Sequence, residues 1–107
     1  MYYVAGCRFQ GEKPVLEKQI EAELVKRVTA IGGRCDKVEV IGRRGFFDRL
    51  VLLPGGRVAF VETKLPGLRL SANQEFFHDA YEKRGAEVRI VRCSADIDAL
   101  LKGLESS

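Results

Sequence analysis

Residues 46–64 run Phe46-Phe47-Asp48-Arg49-Leu50-Val51-Leu52-Leu53-Pro54-Gly55-Gly56-Arg57-Val58-Ala59-Phe60-Val61-Glu62-Thr63-Lys64. An apolar run at 50–53 precedes a Pro-Gly-Gly turn signal, and a second run at 58–61 follows it. Runs apolar on both faces predict strands buried within a sheet. A turn over 54–56 pairs Leu53 with Arg57, and continuing that register sets Asp48 opposite Glu62. Cross-strand partners have Cα atoms ~4.5–5.5 Å apart. A two-residue turn would instead pair Asp48 with Thr63 and send it to the other face. Lys64, two residues beyond Glu62, shares its face. Two acids this close repel unless something positive lies between them. With the lysine they compose a candidate site for a hard cation such as Mg²⁺, which takes carboxylate, water and phosphate oxygens.

Upstream, Pro14 suits the first turn of a helix. Leu16, Ile20, Leu24, Val28 and Ile31 recur at helical spacing and Gly32-Gly33 supplies a stop, which predicts a helix over 14–31. Glu17 falls inside the apolar arc and Glu21 on its edge. An acid on a core-facing stripe is costly unless paired or metal-bound. That makes Glu17, then Glu21, candidates for the same site; a salt bridge to a core-facing Lys or Arg is the alternative. Residues 37–41 read as a short strand leading into a basic loop over 42–45.

Downstream, Ser71 and Gln74 fit a capping box at the head of a second helix. Phe76, Phe77, Ala80 and Tyr81 form its apolar face, and Gly85 ends it. His78, the single histidine, sits in this helix beside Phe77 and reads as a surface or packing residue, with a histidine-based catalytic centre as the alternative. Residues 87–93 read as a fourth strand. Ser94 caps a last helix carrying Ile97, Leu100, Leu101 and Leu104. Residues 1–12 read as an irregular arm or an edge strand. The order α-β-β-β-α-β-α places the chain in the α/β class.

The chain has 107 residues, a length that suggests one domain. Its 18 Lys and Arg outnumber 15 Asp and Glu, a net charge of +3 that fits a polyanionic partner without requiring one. Arg43, Arg44 and Arg49 bracket the basic loop, either as phosphate contacts or as a solvated loop. Cys7, Cys35 and Cys93 are odd in number and lack metal-ligand spacing, which argues against a disulfide framework or zinc site. Cys35 and Cys93 read as small buried hydrophobes. Residues 1–10 lack the pattern of a secretory signal, and no apolar stretch approaches ~18 residues. The expectation is a protein of the reducing cytoplasm with no membrane span.

Phe47-Asp48 followed by Glu62-Thr63-Lys64 resembles the PD-(D/E)xK signature of restriction-endonuclease-like nucleases. The neighbouring pieces are closer still to the virus-type replication-repair nuclease domain, VRR-NUC, in its small stand-alone phage or prophage form. They are residues 17–21, residues 45–49, residues 60–67 and Leu70-Ser71-Ala72-Asn73-Gln74. The resemblance implies a single nuclease domain over 1–107, with a core at about 14–101 and a central mixed sheet flanked by helices. It implies Mg²⁺, with Mn²⁺ as a substitute, held by Asp48, Glu62, the Thr63 carbonyl and Glu17. Lys64 would orient the attacking water, and Gln74 would stand beside the metal as well as capping its helix. Lys37, Arg43, Arg44, Arg49 and Arg69 would contact DNA. The implied activity is a structure-selective DNA endonuclease, a homodimeric Holliday-junction resolvase. A flap nuclease, a nickase, a nonspecific nuclease or an inactive DNA-binding module are the alternatives. The family's proline before the aspartate is Phe47 here, which puts the local geometry in question.

Overall fold

The central hairpin closes in the register that a three-residue turn dictates. In the computed structural model, which describes residues 16–105, Leu53 pairs with Arg57 and Arg49 with Val61. The elements are α1 (Glu17–Ala30), β1 (Arg34–Lys37), β2 (Arg49–Leu53), β3 (Arg57–Thr63), α2 (Ala72–Glu82), β4 (Val88–Val91) and α3 (Ser94–Glu105). Pro14 and the expected arm or edge strand over 1–12 lie outside the described residues. Strand order is β1-β2-β3-β4. The first three strands are antiparallel, and β4 runs parallel to β3. A parallel neighbour cannot follow through a tight hairpin, and α2 supplies the crossover.

Alternation along the strands sorts the two faces. One face carries Cys35, Val51, Leu53, Ala59, Val61 and Val91. Against it pack Ile20, Leu24 and Val28 of α1 with Ile97, Leu100 and Leu101 of α3. Each large side chain buried this way contributes roughly 1.5–3 kcal/mol. Burial pushes the Cys35 thiol up to about 11, so it behaves as a small hydrophobe. The opposite face carries an aromatic cluster. Phe46, Phe47, Phe60, Phe77 and Tyr81 meet mostly edge to face, with centroids 5.1–6.3 Å apart.

Three expectations are corrected. The first strand is Arg34–Lys37, not 37–41. Its length is set by β2, whose pairing stops at Arg49, and the apolar run beyond reaches solvent, with Ile41 98% exposed. Cys93 is half-buried and is not a free thiol. It sits past the end of β4, where its carbonyl accepts the Asp96 and Ile97 amides that open α3. Leu16 and Ile31, expected in the apolar arc of α1, lie at its ends and are 50% and 38% exposed.

The loop between β1 and β2 is clamped at its base. Gly45 has φ +87°, and a Cβ there would stand 2.6 Å from Asn73 Cβ and 2.9 Å from the Gln74 amide nitrogen. Only glycine lets the loop approach the start of α2 this closely. The left-handed backbone alone costs another residue ~1–2 kcal/mol. Gly45→Ala is therefore expected to lower the melting temperature by ~5–10 °C. A melt by circular dichroism within error of wild type would show that the clamp is not needed.

Candidate active site

A carboxylate on an inner strand has neighbours on both sides and little water, and Glu62 is in that position. It lies on β3 between β2 and β4 and is 2% exposed. Its Oε2 accepts from Gln74 Nε2 at 3.0 Å, while its Oε1 is buried without a hydrogen-bond partner. Burial above all pushes the carboxyl up to about 7; the His78 imidazole pulls it down and the adjacent Asp48 carboxylate raises it.

Asp48 stands one residue beyond the last ladder pair of the hairpin. Its Oδ2 accepts from both the backbone amide and the hydroxyl of Thr63, each at 3.0 Å. Its own carbonyl accepts from the Val38 amide. The acid is thus fixed from both neighbouring strands. Lys64 Nζ donates to Gln74 Oε1 at 3.3 Å. That same oxygen accepts from the Ser71 amide at 2.8 Å, and Ser71 Oγ accepts from the Gln74 amide at 3.1 Å. Gln74 therefore both completes the capping box of α2, whose cap is Ser71, and links Glu62 to Lys64.

Glu17 is exposed on the first turn of α1 rather than buried in its apolar stripe. Its pKa is raised by partial burial and by the Asp48 charge, against the opposing pull of Lys64, so it borders the same site. Glu21 points elsewhere, bonding Arg49 at 2.8 Å. Arg49 also donates to the Cys35 carbonyl at 3.3 Å. Its guanidinium thus ties α1 to the sheet and does not join the exposed Arg43 and Arg44. Those two occupy the loop that ends at Asp48. Arg69, also exposed, lies on the loop from Lys64 to α2, and Lys37 is exposed at the end of β1. His78, expected to be a surface or packing residue, also approaches the site. It is 7% exposed, stacks on Phe47 with centroids 4.6 Å apart, and its Nε2 lies 3.8 Å from Glu62 Oε1. Its spacing of four residues from Gln74 was the available signal, since such residues share a helix face.

No family model matches the sequence. A solved structure described as a VRR_NUC domain superposes with a TM-score of 0.76 at 33% identity, covering 80% of this chain and 94% of that one. "Putative nuclease p44" of Acyrthosiphon pisum secondary endosymbiont phage 1 is 41% identical over 87 residues, 81% of this chain and 92% of that protein. The chain belongs to the VRR-NUC nuclease family. It is the small phage type of that domain, and its α-β-β-β-α-β-α order and mixed sheet are those of an α/β nuclease core. Phe47, where this VRR-NUC chain lacks the family's proline, is 1% exposed and locks the strand entrance into the aromatic cluster.

Whether a divalent cation fits can be judged from the donor set. Among the described residues no three Asp, Glu, His or Cys side chains converge as a ready-made cage. The side chains offer instead a close carboxylate pair with one unpartnered buried oxygen. That suits Mg²⁺, which accepts one or two carboxylates and fills its shell with water and substrate phosphate.

The pair also costs stability. The folded protein holds the Glu62 proton more tightly than the unfolded chain does, so stability is lost as pH rises from 4.5 through about 7. The full loss is of the order of 3 kcal/mol. Glu62→Gln keeps the shape without the charge. In EDTA it is expected to melt higher than wild type at pH 8, by at least ~4 °C, with the gap closing toward pH 5. A gap that does not change with pH would show that Glu62 carries no buried charge.

Proposed function

We propose that this chain is a divalent-metal-dependent DNA endonuclease acting on branched DNA, four-way junctions foremost, as a homodimer. The observation that carries the reading is the pairing of buried Glu62 with half-buried Asp48, with Lys64 held near it through Gln74. Asp48, Glu62, the Thr63 carbonyl and Glu17 would hold Mg²⁺, or Mn²⁺ in its place. Such an ion neutralises charge at phosphorus and acidifies its bound water. Lys64 offers a positive ammonium on the same face, able to orient a water and to balance charge on the phosphate. Gln74 restricts that ammonium to one side of Glu62. Arg43, Arg44, Arg69 and Lys37 would meet the phosphate backbone; such contacts carry affinity without sequence information. Arg49 serves the reading indirectly, by holding α1, and with it Glu17, at the end of the sheet. Among the described residues no helix is long and apolar enough to cross a membrane.

A junction of two-fold symmetry needs two paired cuts, and closed two-fold assembly is the commonest way to duplicate a site. Phe46, Phe47 and Tyr81 are spent in the internal cluster and do not supply the interface. Leu52 and Val58, directly paired across the hairpin and 40% and 42% exposed, are better placed to do so.

Lys64→Ala is expected to slow cleavage of a labelled four-way junction by ~100-fold or more while leaving junction binding nearly unchanged. Near-normal turnover would remove Lys64 from the chemical step. Side-by-side digestion of junction, flap and linear duplex, with Mg²⁺ and with EDTA, sets the substrate; preference for flap or linear DNA would replace the resolvase reading. Sedimentation at micromolar concentration is expected to give a dimer that Leu52→Asp returns to monomer. A wild-type monomer that still resolves junctions would remove the dimer from the mechanism.

A further inference from the structure

Helix α2 presents Gln74 and His78 four residues apart, on one face. Gln74 Nε2 bonds Glu62 Oε2 at 3.0 Å, and His78 Nε2 stands 3.8 Å from Glu62 Oε1. Both of the latter atoms are buried, and both lack a hydrogen-bond partner. Buried polar atoms are nearly always paired. Two that face each other across a gap slightly longer than a hydrogen bond are each other's natural partners. The imidazole has little freedom to turn elsewhere, because it is stacked on the fully buried Phe47 at an interplanar angle of 28°. Nothing in a purely packing role requires a nitrogen at that atom.

We propose that His78 is a positioning residue, which with Gln74 grips the two oxygens of Glu62 from one helix face and fixes the carboxylate plane for cation binding. The proposal rests on the metal-dependent reading above. The imidazole donates from Nε2 to Oε1; Gln74 donates to Oε2. The free lone pairs of both oxygens are then held in one orientation toward the Asp48 side. Such supports of a metal ligand typically carry 10–100-fold in metal affinity or turnover.

Two variants separate positioning from packing. His78→Phe keeps a ring against Phe47 but removes the donor; His78→Gln loses the ring but places an amide donor near Nε2. Calorimetry with Mn²⁺ and no DNA is expected to show about tenfold weaker binding for His78→Phe and substantial recovery for His78→Gln. On junction DNA, kcat falls ~10–100-fold for His78→Phe with KM unchanged, and recovers in His78→Gln. The reverse order, with Phe near wild type and Gln impaired, overturns the proposal in favour of packing. A third measurement does not depend on nuclease activity. Nitrogen-15 NMR of the single histidine in metal-free protein at pH 8 is expected to show the Nε2-protonated tautomer, with that preference lost in Glu62→Ala. An unchanged spectrum overturns the contact itself. Absence of Mn²⁺ binding and cleavage in wild type, with the tautomer signature present, would sink the metal-dependent reading and the cation role of His78 while leaving the contact standing.

Discussion

A carboxylate buried on an inner strand organises this end of the molecule. Glu62 cannot be hydrated from the sheet, since β2 and β4 flank β3 and α2 covers its face. A charge so placed must be met by donors or by a cation. The protein meets it only in part. One oxygen receives Gln74, the other is left without a hydrogen bond, and a second acid, Asp48, is brought up beside it. Asp48 could have been turned to water at the end of β2, but two donors from Thr63 hold it in. An arrangement that stability alone would remove is kept in place by three donors: the Gln74 side-chain amide and the backbone amide and hydroxyl of Thr63. This is the pattern of a site whose geometry is maintained at the expense of the fold.

The start of α2 and the candidate site are one construction. In an isolated capping box the glutamine side chain reaches back only to the amide of the cap residue. Here its oxygen is shared between Ser71 and Lys64, and its nitrogen is given to Glu62. Helix initiation therefore fixes Gln74 in one rotamer, and that rotamer sets the spacing between acid and lysine. Gly45 extends the same logic to the chain on the other side. Its lack of a side chain lets the loop rest on Asn73, so Phe46, Phe47 and Asp48 enter the sheet from a fixed point. The aromatic cluster replaces a rigid proline with buried area, and the same Phe47 ring supports His78.

How much of this was legible in the sequence follows how local each feature is. The hairpin register was legible because turn length and an apolar run on each side determine it. The capping box was legible because its residues are three apart. The first strand was misplaced because an apolar alternation says nothing about where its partner strand ends. Arg49 read as a phosphate contact because its pairing with Glu21, far away along the chain, leaves no trace in the local pattern. Glu17 was expected inside the apolar arc of α1 and instead lies exposed on its first turn. The helical arc points toward the sheet, but at its first turn that direction is open to solvent and to the Asp48 charge. His78 was read as packing because its neighbour in sequence is Phe77; its contact with Glu62 requires knowing that α2 lies over β3.

The separation of charges along this surface bears on how substrate and cation would be taken up. Arg49 and Glu21 neutralise each other inside the fold, and the exposed Arg43, Arg44 and Arg69 lie on the two loops that end at Asp48 and begin at Lys64. Acids sit at the centre and free cations on the flanks. Under the proposed function, a DNA strand drawn in by the flanking arginines brings its phosphate to a carboxylate pair that repels it. A divalent cation removes that repulsion, and the phosphate in turn offers oxygens that the protein does not supply. Each ligand then raises the affinity for the other, and by linkage the two effects are equal in size. A site whose side chains do not close into a cage among the described residues is suited to this coupling. A complete protein cage would leave no open position for the phosphodiester, and the ion's affinity would then gain nothing from DNA.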